Sequence, residues 1–161
     1  MTGDRVVRAC CAASAAFVAA GLVVGALNAL SPFERGWWLA SYLLLVGGAS
    51  QVLLGGGQFL VAAERRAVWP SRSLSWTQLA LWNIGTAAVA VAERPRVLPG
   101  VAAGAAILIV ALVLFLEGLR QIGRTARRRT AALERGYLAL LAGLAGCVVL
   151  GTFLTGDAPG Q

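Results

Sequence analysis

The chain has 161 residues, 58% hydrophobic and 13% charged, with a mean hydropathy of +0.76. A soluble domain has about 25% charged residues, so this composition excludes one and reads as a membrane protein. Fourteen arginines against seven acids give a net charge of +7, and there is neither lysine nor histidine. Without histidine, a histidine-ligated haem, copper or zinc site within this chain is excluded.

Charge spacing organises the rest. Five stretches carry no charge: 9–33, 36–63, 73–92, 97–116 and 136–156. Each suffices to cross a hydrocarbon layer of ~30 Å as a helix, which takes about 20 residues. Together they cover 114 positions, leaving no length in these residues for a separate soluble domain. The expected fold is all-α: one polytopic bundle of five transmembrane helices.

Helix one is expected over about 6–30, with Arg5 and Arg8 in front and a Ser31-Pro32 stop behind. Its apolar run exceeds the ~7–15 residues of a signal-peptide core, which argues for a span rather than a cleaved leader. Helix two is expected over 37–63, ending at Glu64-Arg65-Arg66, and helix three over 74–92. The short turn Glu93-Arg94-Pro95-Arg96 makes helices three and four, the latter over 97–119, an antiparallel hairpin. A basic segment, 120–135, leads into helix five over 136–154. No alternation of apolar and polar residues suggests a strand, so an outer-membrane barrel is not expected.

Five crossings place Arg5, Arg8, Arg65, Arg66, Arg72 and the six arginines of 120–135 on one side, and only Arg35, Arg94 and Arg96 on the other. The positive-inside bias then sets the N-terminus in the cytoplasm and the C-terminus outside. Trp37 and Trp38 at one boundary, and Trp69, Trp76 and Tyr137 at the other, suit headgroup depth. Arginine as the sole basic residue amid Ala, Gly, Val and Leu looks like the codon bias of a GC-rich bacterial genome, and the expected location is then a plasma (inner) membrane.

Chemistry-bearing groups are few. No serine, cysteine or carboxylate sits in a nucleophile motif, and Cys10, Cys11 and Cys147 form neither a disulfide framework nor a metal site. No catalytic residue, metal or cofactor is expected. Glu117 is a carboxylate within a span; it could relay protons or bind a cation, but its plainer use is an interface pair with Arg120 or Gln121. Gln51 and Gln58, seven apart, share a face of helix two with Gly47, Gly48 and Gly55 nearby. With Asn83 and Thr86 of helix three they are the candidate solute-binding residues, Gln51 meeting Asn83. Gly55-Gly56-Gly57 is a weak point at which helix two could unwind around a solute, although close helix approach explains such glycines more simply.

Helix-interface candidates are Gly21 and Gly25 in helix one, Gly100 and Gly104 in helix four, and Gly143, Cys147 and Gly151 in helix five, where Ala139 extends the ridge. Helices two and five share a loose pattern, Leu-Leu-x-Gly-x-Ala-x-x-Val-x-Leu-Gly at 44–55 and 140–151, read as coincidence among common residues. Arg120, Arg124, Arg127, Arg128 and Arg129 are candidates for contact with anionic lipids or an acidic partner at the cytoplasmic face. Nucleic acid is not expected as a partner, because no aromatic residue is interleaved for base stacking. The functional expectation is a small non-enzymatic subunit that stabilises or anchors a larger inner-membrane complex through other integral membrane subunits. The alternative is a small-solute transporter or channel component with a polar site between helices two and three.

Overall fold

The computed structural model describes residues 2–93, 98–126 and 131–156, with only the backbone described at 2, 98, 131 and 150–156. These residues are helical with short connections, and no strand occurs among them. We label the helices α1 (Thr2–Leu30), α2 (Gly36–Glu64), α3 (Arg72–Glu93), α4 (Leu98–Thr125) and α5 (Ala131–Gly156). Four of them contain segments long and apolar enough to cross a membrane: Gly3–Leu30, Gly36–Glu64, Pro99–Thr125 and Ala132–Val149. This is the architecture of a multi-pass membrane protein.

The helix outside that group, α3, is the polar one, and its polarity faces inward. Ser75, Gln78, Trp82, Thr86 and Glu93 recur at helical spacing and are all buried, as is Val89, while Trp76, Ile84 and Val91 are exposed. This stripe of polar side chains thus faces the other helices of the bundle. Against α3 packs α4, with Gly104 set against Val89 and Gly85 against Leu108; a β-carbon on either glycine would collide with the other helix. The resulting core centres on Leu54, Val61, Trp82, Leu108, Ala111, Phe115 and Ile122.

The α1 helix lies along α2. Gly21 faces Leu44 and the Ala40 carbonyl, Gly25 faces Ala40 and Trp37, and Phe17 and Val18 fill the space left by Gly47 and Gly48. Asn28 is buried and its Oδ1 accepts a hydrogen bond from the Phe33 amide at 3.0 Å, capping the turn between the two helices.

Within α2 the turn over Leu43–Ala49 is π-helical. Such turns loosen the regular ladder and occur often at functional positions. Here its carbonyls bond to neighbouring helices: Val46 O accepts from Trp82 Nε1 of α3 (3.2 Å), beside a bond from Ser50 Oγ of its own helix, and Gly48 O accepts from Ser14 Oγ of α1 (3.0 Å). The irregularity therefore falls at Gly47-Gly48 and not at Gly55-Gly56-Gly57, which stay α-helical. Gly55 admits Cys10 of α1 and Gly57 admits the Tyr137 ring of α5, the close-approach use of glycine.

Arginines in the left-handed conformation stand at both ends of α2, Arg35 (φ 59°) before it and Arg66 (φ 49°) after it. At the far end Ala67 N bonds to Ala62 O and Arg66 N to Ala63 O, a Schellman motif with arginine where glycine is usual.

Candidate functional site

Polar side chains inside the bundle form two groups. Toward the Arg65 end of α2 lies a closed polar layer. Gln58 of α2 and Gln78 of α3, both 1% exposed, donate from Nε2 to consecutive carbonyls of α4, Phe115 O at 3.1 Å and Leu114 O at 2.6 Å. Gly118 makes this possible, because a β-carbon there would strike both amides. Tyr137 of α5 closes the layer by donating to Leu54 O at 3.0 Å. Arg65, itself buried, pairs with Glu134 at the start of α5. Just outside, Ser71 N donates to Gln121 Oε1 and Val68 N to Thr125 Oγ1, fastening the α2–α3 loop onto the end of α4.

Toward the Arg35 end the bundle opens into a cavity of about 470 Å³. Trp38, Tyr42 and Val46 of α2, Trp82 and Val89 of α3, Val101, Ala105 and Leu108 of α4, and Leu144, Cys147 and Val148 of α5 line it. Trp38 and Tyr42 stack with ring centroids 5.1 Å apart, forming one aromatic wall. At its charged edge Arg35 pairs with Glu93, whose side chain is only 6% exposed. The Tyr42 hydroxyl is buried beside that of Thr86. Chemically this is a pocket for an apolar body with a polar or charged end.

The residues singled out from sequence divide accordingly. Gln58 is part of the closed layer. Gln51 lies on the same face of α2, 2% exposed, with neither amide atom hydrogen-bonded. Asn83 donates to Leu79 O of its own helix at 2.7 Å, so the expected Gln51–Asn83 hydrogen bond is not formed. Thr86 is fully buried behind the cavity wall. Glu117 lies 3.7 Å from both Arg120 and Arg124, an interface arrangement at the end of α4. Arg127, Arg128 and Arg129 lie outside the described residues. Gly21, Gly25 and Gly104 are contact points between helices. Gly100 is half-buried at the start of α4, Gly143 meets nothing within 4 Å, Cys147 is exposed, and of Gly151 only the helical backbone is described.

Sequence reasoning missed Gln78 as a binding element, Tyr137 as a tie, and the Arg35–Glu93 and Arg65–Glu134 pairs. Gln78 carried a usable signal: it lies eight residues before Thr86 and so belongs to the same helical stripe. Neither ion pair had one, since each joins residues more than 55 positions apart. Comparison with protein families, characterised proteins and solved structures finds no match to this chain.

Proposed function

We propose that the chain is a non-enzymatic, multi-span subunit that stabilises or anchors a larger inner-membrane protein complex. The observation that carries this reading is the open face of α5: Gly136, Gly143 and Gly146 meet nothing within 4 Å, whereas Gly21, Gly25, Gly85 and Gly104 are all used inside the bundle. In lipid, helices associate through close packing at small residues, so a second transmembrane polypeptide fits this face. The reading includes five crossings with the N-terminus cytoplasmic. Supporting the fifth crossing, α3 has 22 residues, about 33 Å of helix. The exposed Arg120 and Arg124, with the arginines that follow, suit anionic headgroups at the cytoplasmic face.

The test is the double substitution Gly143→Leu and Gly146→Leu, read by native mass spectrometry of the complex purified in mild detergent. The partner is expected to be lost while the isolated chain keeps its thermal unfolding midpoint. A complex of unchanged stoichiometry, or a wild-type protein that purifies from native membranes only as a monomer, overturns the subunit reading. The unbonded Gln51 amide and the cavity favour the second reading, a small-solute transporter or channel component.

A further inference from the structure

The cavity at the Arg35–Glu93 end combines an apolar interior with a charged edge. Its volume of about 470 Å³ lies within the range of about 300–1,000 Å³ that accommodates a drug-sized ligand. Left empty, a void of this size forfeits dispersion contacts along its whole lining. Water has too few polar partners between Val46, Val101, Ala105 and Leu108 to fill it. In a bilayer the substance at hand is hydrocarbon chain, and the stacked Trp38 and Tyr42 rings offer it a flat wall.

The charges define the other end of the occupant. Arg35 carries five N–H donors and its side chain is 37% exposed, so donors remain for a phosphate. The Glu93 carboxylate has more acceptor capacity than one ion pair uses, and so can also receive an ammonium. Glu34, beside Arg35 and Glu93 in the shallow pocket next to the cavity, adds a second acid. Arg35 offers donors to a phosphate and Glu93 acceptors to an ammonium, so a head bearing both charges matches the pair.

We propose that this cavity binds one zwitterionic phospholipid, its acyl chain lying between Tyr42, Trp82 and Leu108 and its phosphoethanolamine head set against Arg35 and Glu93. The site does not depend on the subunit role, because its occupant is a lipid and its walls belong to this chain alone.

Trp82 provides the probe. It lines the cavity yet is only 1% exposed, so a bulk lipid chain reaches its ring only by entering. The full chain, with its other tryptophans changed to Phe so that position 38 keeps an aromatic ring against Tyr42, is reconstituted in vesicles of phosphatidylethanolamine and phosphatidylglycerol. One lipid at a time carries bromine at mid-chain. Brominated phosphatidylethanolamine is expected to quench Trp82 strongly and brominated phosphatidylglycerol, at the same mole fraction, markedly less. Ala105→Phe is expected to weaken quenching by occupying the part of the cavity beside Leu108 and Trp82, and Glu93→Gln to remove the preference between heads while chain quenching persists. Trp82 emission indifferent to bromination, or equal quenching by both lipids, overturns the proposal. A measurement that needs no variant is native mass spectrometry of the unaltered protein from membranes: one phosphatidylethanolamine retained per chain supports the site, and retention of phosphatidylglycerol or of no lipid contradicts it.

Discussion

The two ends of α2 use the same chemistry to different effect. Each is pinned by an arginine–glutamate pair, Arg65–Glu134 at one end and Arg35–Glu93 at the other. At the Arg65 end the pair ties α2 to α5, and Tyr137, Gln58 and Gln78 turn their polar atoms onto carbonyls of α2 and α4. At the Arg35 end the pair ties α2 to α3, and α5 offers only Leu144, Cys147 and Val148 across an open cavity. An ion pair fixes where a helix ends. Whether the bundle closes behind it depends on side chains that can bond to a neighbour's backbone, which α5 supplies at one end only among its described residues.

The largest expected effect separates the two ends directly. A β-carbon at Gly118 would lie 2.5 Å from Gln58 Nε2 and 2.8 Å from Gln78 Nε2. Gly118→Leu therefore unseats two buried amides, at about 1–3 kcal/mol each, and overpacks the layer by a further ~1–3 kcal/mol. The folded protein is expected to be lost, as read by size-exclusion profile in detergent. Ala105→Leu at the open end projects into free volume, and its unfolding midpoint is expected to equal or exceed that of the wild type. If both variants fold equally well, the closed end is not closed.

The ion pair at the open end is asymmetric, the Glu93 side chain being 6% exposed and that of Arg35 37%. Arg35→Gln strands a buried carboxylate, a loss of about 3–5 kcal/mol. Glu93→Gln leaves a guanidinium that can turn to water or headgroups, and is expected to cost about 1 kcal/mol or less. Denaturant unfolding in micelles ranks the two, and the reverse order would mean that Arg35 is the better shielded partner.

Along the same face of α2, two glutamines differ in what they bond. Gln51→Leu removes a buried amide without a partner and is expected to stabilise by about 1–3 kcal/mol. Gln58→Leu removes a bond to Phe115 O and is expected to destabilise, by about 0.6 kcal/mol if it resembles the average interhelical bond in a membrane. A loss of stability on Gln51→Leu would reveal a ligand or ordered water at that amide.

Helix positions were legible in the sequence because the uncharged stretches are separated by arginines and acids. The order of burial was not. The pattern shared by 44–55 and 140–151 shows why: Gly47 meets Phe17 and sits in a π-helical turn, while Gly143 in the same local context meets nothing and sits in a regular α-helix. A pattern of small and large residues states what a helix face can accept, and only the tertiary arrangement decides what arrives. Polar side chains behave likewise. The seven-residue spacing puts Gln58 on one face of α2 with Gln51, but the partner of Gln58 is a carbonyl of α4, and any backbone offers carbonyls everywhere. The cavity was invisible for the same reason, since it arises where α5 stands away from α2, α3 and α4.

The smallest effect returns to the two left-handed arginines. A residue with a β-carbon holds this conformation at a cost of about 1–2 kcal/mol, which glycine avoids, although glycine loses more backbone freedom on folding. At Arg66 the left-handed residue serves only to end α2 through the Ala67 N to Ala62 O and Arg66 N to Ala63 O bonds, and its side chain is exposed. Arg66→Gly keeps both bonds and is expected to raise stability by about 0.5 kcal/mol, a small upward shift in the unfolding midpoint. At Arg35 the same change relieves the same backbone strain, yet removes the cation that faces Glu93. Arg35→Gly is therefore expected to lose stability like Arg35→Gln, less the strain relieved. Opposite signs for one substitution at the two ends of one helix would show that Arg66 is held by the turn and Arg35 by its partner; equal signs would mean that backbone strain, not the ion pair, governs the Arg35 end.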